Sequence, residues 1–405
     1  MKILHLCTGF PYAFPGGITI YVQRLALDLI SLGVESAVVC GESTKSSDGD
    51  VQLLATQSRM QLFSLNFRDH SDVDAQVIAH IKSYGPDVIH FHTTQNFGRA
   101  AYEYIMESRI PYVVTLNDYY YVCPRTIMYS LRFGACRSVV WGKCSKCVGV
   151  LDRVDILKNA ATRFNIVLPS IKTNKLMDRQ GFFEQFLRGA SVLHSVSSRV
   201  EEIFRGVLPE ARYHRSMIGN DSIKYGGLSK SKATKLRCSY IGSLNAWKGA
   251  GVFERLVSMA DLNKLEFCFY GRADLAYAER LEARGVVMKG SYTPNDLPNI
   301  LSDTDVGLVL PVWEDNGPQV CMEFINSRTP VLGTDRGGVL DFVTSDRGYV
   351  FDPDDDSAYS GALSWLMSMT DPVFYSKYKS MPQHVEPIAH AREMITIYNE
   401  ATPVE

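Results

Sequence analysis

Trp313-Glu314-Asp315-Asn316-Gly317-Pro318-Gln319-Val320-Cys321-Met322-Glu323 is the stretch whose reading decides the fold. It follows a short apolar run, Val306-Gly307-Leu308-Val309-Leu310-Pro311. That order predicts a buried strand, a polar turn and a helix opening with Pro318. Proline suits the first helical turn, where its missing N–H has no partner anyway. Asp315 then falls in the turn, and Glu323 lies a little over one turn into the helix. Two acidic groups and a set of backbone N–H groups would face the carboxyl end of a parallel sheet. Such sheets bind ligands there, and helix N-termini attract phosphate. The arrangement suits a nucleotide-sugar, with phosphates on the N–H groups and carboxylates on sugar hydroxyls. An ordinary strand–loop–helix with incidental charge is the competing reading of this stretch taken alone.

Around this stretch the second half keeps one rhythm. Arg237-Cys238-Ser239-Tyr240-Ile241-Gly242 reads as a strand into a turn, and Ser243 to Gly249 as the loop before a helix through Phe253, Leu256 and Val257. Lys248 stands near that helix start, where a cation can pair with a diphosphate. Phe267 to Tyr270 is the next strand, ending at Gly271, and Val286 to Gly290 the one after. Pro330-Val331-Leu332-Gly333-Thr334 precedes Gly337-Gly338. Strands alternating with helices predict an α/β domain whose parallel sheet is covered on both faces. Asp303-Thr304-Asp305 has a metal-binding spelling, but it precedes a strand and reads as structural.

The first half repeats the pattern. Ile3 to Cys7 is apolar, and a loop with Pro11, Pro15, Gly16 and Gly17 follows. Val22, Leu25, Ala26, Leu29 and Ile30 recur at helical spacing, Gly33 is a stop, and Ser36 to Cys40 is a second strand. A glycine pair at the helix start lets a ligand approach the backbone closely, although the full dinucleotide spacing is missing. Asp87 to His92 is a strand with His90 and His92 on one face. Pro111 to Leu116 is another, ending in Asn117-Asp118-Tyr119. The domain boundary is expected near residues 210–235, where Gly226, Gly227 and a Lys/Ser-rich run appear. The final segment, Ala391 to Ala401, has helical spacing.

The 405 residues suffice for roughly two domains with separate cores. Apolar content of 46% and charged content of 21% are those of a soluble globular protein, and a formal charge of −2 gives no field for nucleic acid. No apolar run reaches a membrane span, and the N-terminal run is too short for a signal peptide. A cytoplasmic protein is expected, with its nine cysteines mostly reduced. Cys7, Cys40, Cys238, Cys268 and Cys321 lie in apolar runs and read as core. Cys123, Cys136, Cys144 and Cys147 cluster in a loop-rich segment, the last pair as C-x-x-C. A structural zinc on four thiolates is the leading reading, with free thiols next; disulfides and iron–sulfur ligation fit less well. Four thiolates leave no open position for catalysis.

Taken together these residues resemble the retaining GT-B glycosyltransferases, typified by bacterial mannosyl-, glucosyl- and N-acetylglucosaminyltransferases (glycosyl transferases group 1). The resemblance covers nearly the whole chain. It is strongest at Tyr240-Ile241-Gly242, Lys248-Gly249, Asn316-Gly317-Pro318 through Glu323, Thr329-Pro330-Val331 and Gly337-Gly338. Gly16-Gly17, His90-Phe91-His92, Thr115 to Tyr119 and the segment after Cys123-Pro124 extend it. It implies two Rossmann-like domains with parallel sheets facing across a cleft: 1–215 for the acceptor, with a cysteine-bearing insertion at 123–147, and 216–385 for the nucleotide-sugar. A last helix in 386–405 would cross back to the first domain.

Carried over by position, Glu323 grips the ribose, Asp315 contacts the transferred sugar and Lys248 the diphosphate. Gly16, Gly17, Gly242, Ser243, Gly271, Asn316, Gly317, Pro318 and Val320 join the donor site. His92, Asp118 and Tyr119 lie on the acceptor side, and Asp315, Asn117 and Lys248 form the catalytic set. Three departures stand out. Asp315 replaces the family's usual Glu, Ser243 a frequent basic residue, and Asn117 a frequent His that could carry a proton. The expected reaction moves a sugar from a UDP- or GDP-type donor to a saccharide or lipid-linked hydroxyl in cell-surface polysaccharide or glycolipid assembly. No catalytic cofactor is implied. A nucleotide-sugar epimerase or hydrolase, and a non-catalytic sugar-nucleotide-binding partner, are the alternatives. Lys158, Arg163, Lys172, Lys175, Arg179 and Arg188, among Phe164, Ile166, Leu168 and Leu176, read either as a solvated face or as a peripheral membrane surface.

Overall fold

Unbroken apolar strands need cover on both faces, and helices supply it in each half of this chain. The computed structural model describes residues 1–12, 14, 16–41, 45–57, 71–93, 95, 97–130, 132–148, 173–226 and 228–402. The chain divides into two units, Met1–Gly219 with Pro387–Glu405, and Asn220–Glu386.

In the first unit, β1 (Lys2–Leu6), α1 (Gly17–Ser31) and β2 (Glu35–Cys40) come first. Then follow β3 (Ser47–Asp48), β4 (Val51–Ala55), α2 (Ser71–Tyr84), β5 (Val88–Phe91), α3 (Arg99–Glu107) and β6 (Tyr112–Thr115). The loop-rich cysteine segment also carries short regular elements. It holds a hairpin, β7 (Tyr129–Ser130) with β8 (Gly134–Ala135), and a helix, α4 (Trp141–Val148). The C-x-x-C pair therefore sits on one helical turn. α5 (Thr173–Gly189), β9 (Val192–Ser195), α6 (Ser198–Arg205) and β10 (Tyr213–Arg215) follow. The sheet runs β10-β9-β6-β5-β1-β2-β4-β3, parallel except where β3 meets β4. Tyr102 of α3 and Phe186 of α5 close over it with ring centroids 4.9 Å apart, and Phe91 meets Phe186 at 4.8 Å.

The second unit begins with β11 (Leu236–Leu244), α7 (Ala250–Met259), β12 (Leu265–Ala273), α8 (Leu275–Ala283) and β13 (Val287–Gly290). α9 (Leu297–Ser302), β14 (Val306–Val309), α10 (Gln319–Asn326), β15 (Val331–Thr334), α11 (Val339–Phe342) and β16 (Gly348–Phe351) continue it. α12 (Ala358–Ser368) and α13 (Pro372–Ser376) close the unit. The chain then returns to the first unit as α14 (Pro387–Ala401), which packs on α1. The second sheet is wholly parallel in the order β13-β12-β11-β14-β15-β16. Counted from β11, that is the doubly wound Rossmann order, and it reverses between β11 and β14. The first sheet reverses between β1 and β5.

Pro318 caps α10 rather than beginning it: its ψ of 112° is extended, and the helical run starts at Gln319. Proline lacks the N–H but can still lend the first helical carbonyl, which the Cys321 N–H reaches at 3.0 Å, so the helix start shifts by one residue. The five cysteines assigned to the core, Cys7, Cys40, Cys238, Cys268 and Cys321, are all buried.

Candidate active site

Ligands of doubly wound sheets bind beyond the strand ends where the order reverses. In the second unit that point lies after β11 and β14, and two charged side chains meet there. Lys248 Nζ stands 2.6 Å from Asp315 Oδ2. The Asp315 side chain is 9% exposed and that of Lys248 34%, so the cation keeps access to solvent or ligand while the carboxylate is enclosed. Lys248 Nζ also lies 5.0 Å from the centroid of the Trp313 ring.

Each partner is braced from behind. The Lys248 N–H donates to Asn245 Oδ1 at 3.0 Å, and the Tyr240 hydroxyl donates to the Lys248 carbonyl at 3.0 Å. Gly249 has φ of 89° and caps α7; a Cβ there would lie 1.7 Å from the Leu310 carbonyl oxygen at the end of β14. Gly249→Ala should therefore lower the unfolding free energy by about 2–5 kcal/mol, from strained backbone plus overpacking. Urea unfolding measures this; wild-type stability in that variant would refute the packing described here. Asp315 is fixed through its backbone, whose carbonyl accepts from the Gly338 N–H at 2.6 Å. The loop after β15 approaches so closely that a Cβ on Gly337 would meet Asp315 O at 2.0 Å.

Sequence reasoning missed the residues that hold this loop. Glu314, 3% exposed, accepts from the Gly337 N–H at 3.1 Å. Arg336, 2% exposed, reaches Asp352 at 2.7 Å and Asp354 at 2.6 Å, and also pairs with Asp335. A charged residue inside the glycine turn was the available signal, but two of its carboxylate partners, Asp352 and Asp354, lie 16 and 18 positions further on. Asn220 was missed too, because the region read as a linker. It contacts Glu323, whose carboxyl burial pushes up to about 7 against that hydrogen bond. Tyr292 also faces Glu323.

The remaining donor-side residues distribute around this corner. Asn316 and Pro318 are buried, Gly317 and Val320 half-buried and Ser243 exposed. Gly242 and Gly271 sit opposite each other in the β11–β12 register. Asp303 and Asp305 both pair with Arg237, at 3.2 and 3.0 Å, which makes their spacing structural.

In the first unit Gly16 precedes α1, with open space where a Cβ would stand, and Gly17 is the first residue of the helix. The Gly16 N–H donates to Thr19 Oγ1 at 3.2 Å. At the end of β6, Asn117 Nδ2 is buried and finds no hydrogen-bond partner among the described residues. Asp118 accepts from Thr93 at 2.9 Å, Gln95 at 3.1 Å and the Tyr120 N–H at 2.8 Å. Burial pushes its carboxyl upward, and these bonds oppose that. Tyr119 is fully buried, and His92 is 1% exposed with its Nε2 3.0 Å from His5 Nδ1. His92 and Tyr119 thus lie inside the fold.

His5, His90 and His92 bring three ring nitrogens within 4.8 Å of one another, and no other described group does so with His, Cys, Asp or Glu. Both nitrogens of His90 are occupied, by the Tyr398 and Thr115 hydroxyls at 2.7 Å each. Desolvation holds the imidazoles of this cluster well below their ordinary pKa, His5 at about 3.

The cationic surface considered on α5 is not assembled among the described residues. Arg179 is 5% exposed, donates to the Tyr120 carbonyl and lies over the Tyr120 and Phe183 rings. Leu176 is also buried, while Lys175 and Arg188 are exposed. Lys158, Arg163, Phe164, Ile166, Leu168 and Lys172 lie outside the described residues. Among the described residues no helix is long and apolar enough to cross a membrane.

Both halves match glycosyltransferase family models. Residues 15–148 match Glycosyltransferase Family 4, and residues 235–369 match Glycosyl transferases group 1. The chain belongs to the GT-B glycosyltransferases. Three solved structures resemble it in fold. Sucrose-phosphate synthase from Thermosynechococcus elongatus is 16% identical over 98% of both chains with a TM-score of 0.72. Anabaena HepE in complex with UDP is 14% identical over 99% of this chain and 100% of its own, with a TM-score of 0.65. WaaG, a glycosyltransferase involved in lipopolysaccharide biosynthesis, is 14% identical over 98% and 99%, with a TM-score of 0.64. No curated protein matches the chain in sequence.

Proposed function

We propose that this glycosyltransferase moves a sugar from a UDP- or GDP-type donor to a hydroxyl of a saccharide or lipid-linked acceptor, with retention at the anomeric carbon. Cell-surface polysaccharide or glycolipid assembly in the cytoplasm is the setting we infer. One observation carries the reading: Lys248 and Asp315 meet at 2.6 Å where the strand order of the second sheet reverses. A half-exposed cation beside an enclosed carboxylate suits a ligand that carries both a diphosphate and hydroxyls.

Lys248 meets the charge that grows on the leaving diphosphate, which is the largest single contribution open to such a site. Asp315 orients the sugar through its hydroxyls and fixes the Lys248 ammonium. Its Oδ2 is engaged by Lys248, so we assign it positioning rather than nucleophilic attack. Asn117, with an unpartnered amide nitrogen, is assigned a sugar hydroxyl. Gly16 and Gly17 admit ligand oxygens close to the backbone, and Glu323 takes the ribose hydroxyls. HepE has been solved with UDP and with UDP-glucose, which supports a uridine donor as the first to try.

Radiolabelled UDP- and GDP-sugars, offered with and without a membrane extract as acceptor, test the reaction. The expected product is an acceptor-dependent glycoside with the donor's anomeric configuration. An inverted linkage would contradict retention. Free sugar or its epimer formed equally without acceptor would favour the hydrolase or epimerase reading, and binding without turnover the non-catalytic one.

Glu323→Gln separates binding from folding. The folded carboxyl is raised to about 7 from 4.5, so the folded state binds more protons between those values. Stability is therefore lost as pH rises through that window. Removing the ionisable group should raise the melting temperature at pH 8 while weakening nucleotide binding by about 10-fold, one charge-assisted hydrogen bond. Unchanged nucleotide affinity would remove Glu323 from the site.

A further inference from the structure

The four clustered cysteines line one cavity of ≈ 30 Å³, about the room one water occupies, with Val122, Met128, Val139 and Val148 among its walls. None of them is in a disulfide. The backbone takes a costly path to bring them there: Thr126 and Met128 have φ of 65° and 47°, a region that β-branched and bulky residues avoid.

That path surrounds sulfur with donors. The N–H groups of Arg125 and Met128 point to the Cys123 sulfur, and the Val140 N–H points to that of Cys144. Arg125 Nε donates to Cys147 Sγ at 3.1 Å while its Nη2 holds the Cys147 carbonyl at 2.9 Å. Lys143 faces Cys136. Each of the four sulfurs is therefore met by an N–H donor or a cation. Sulfur ligates a metal ion as the thiolate, and these N–H donors and cations are placed to offset that charge.

We propose that Cys123, Cys136, Cys144 and Cys147 bind one Zn2+ as four thiolates, with Arg125 and Lys143 offsetting the excess negative charge. Each thiol releases its proton to solvent as the ion enters, and no electron is transferred. Cys144 and Cys147 share a face of α4 at helical spacing, Cys136 follows the hairpin and Cys123 follows the turn after Asp118. No three of these sulfurs lie within 4.8 Å of one another, so binding draws them inward. The ion then fastens α4 and the hairpin to the turn that Asp118 organises. Its role is structural, because four thiolates leave no open coordination position.

Two measurements on the full-length chain test this. Protein purified from zinc-supplemented medium should carry one zinc per chain. The reduced, metal-stripped protein titrated with Co2+ should develop thiolate-to-cobalt charge transfer and tetrahedral visible bands that saturate at one equivalent. Arg125→Gln should keep those bands and weaken metal affinity by roughly 10-fold. Cys144→Ser should change the spectrum to that of fewer thiolates. A folded wild-type chain with no zinc and no charge-transfer band overturns the proposal, as does a spectrum untouched by Cys144→Ser. Should that variant fail to fold, the wild-type cobalt titration still decides.

Discussion

Lys248→Ala is expected to lower kcat/KM for the nucleotide-sugar donor by about 10²–10³-fold, the usual effect of removing one preorganised group from a developing negative charge. The side chain is preorganised on both sides. Asn245 and Tyr240 fix its backbone, and Asp315 holds its ammonium at 2.6 Å. No rearrangement is needed when the leaving diphosphate arrives, so the ammonium acts at full strength in a partly enclosed corner. Lys248→Arg keeps the charge but not the compact point donor, and it should recover only part of the loss. Release of nucleotide from radiolabelled donor measures both variants. The alanine variant also leaves Asp315 without its cation, so its melting temperature should be recorded beside its rate. A rate within a factor of about two of wild type, in a folded protein, would separate Lys248 from catalysis.

Acid should unfold the first unit between about pH 4 and 5.5 by charging its buried histidines. Burial holds His5 at about 3 and His194 at about 4, and keeps His90 and His92 well below the ordinary 6.5. Their stabilising contribution is complete above 6.5 and is lost as pH falls toward these folded values. Each histidine removes about 1.4 kcal/mol per pH unit, and four together about 5. A domain stability of about 5–15 kcal/mol would then be exhausted between about pH 4 and 5.5.

Among the described residues, the groups bonded to this cluster are hydroxyls, a carbonyl and other imidazoles. Tyr21 of α1 binds His390 at 2.9 Å, Tyr398 of α14 binds His90, and Thr115 joins His90 to His194, at 2.7 and 3.0 Å. The nearby His214–Glu393 contact is more than a third exposed and worth little. Because α14 carries two members of the network, its detachment from α1 should accompany the loss. Urea unfolding between pH 7.5 and 4.5, read by tryptophan fluorescence and circular dichroism, checks this. A stability that stays flat down to pH 5 would contradict it.

The α/β class and its two-part organisation are legible because apolar runs, glycine stops and helical spacing are local. The strand before Trp313, the helix after it and the loop–helix at Gly16 and Gly17 fall where spacing puts them. Shorter elements are not legible. β3 and β10 carry only two and three residues, too few for periodicity to separate strand from loop. α4 contains Gly142 and two cysteines, poor helix formers, and is held by packing against α5 rather than by propensity. At the candidate site, Lys248 and Asp315 are visible as strand-end charges, yet their contact spans 67 positions. Glu314, Arg336 and Asn220 were hidden for the same reason, since their partners are fixed by how loops after different strands meet. His92 and Tyr119 show the converse limit. Alternation along a strand tells which face a residue occupies, but not whether helices seal that face.

Calorimetric titration of the full chain with UDP, GDP and their sugars tests the central claim most directly. Saturable binding of at least one nucleoside diphosphate is predicted, with affinity for it lost in Lys248→Ala and largely kept in Ser243→Ala, whose side chain is exposed. No binding by any of these ligands, or affinity indifferent to Lys248, would contradict the assignment of a nucleotide-sugar to the corner between β11 and β14.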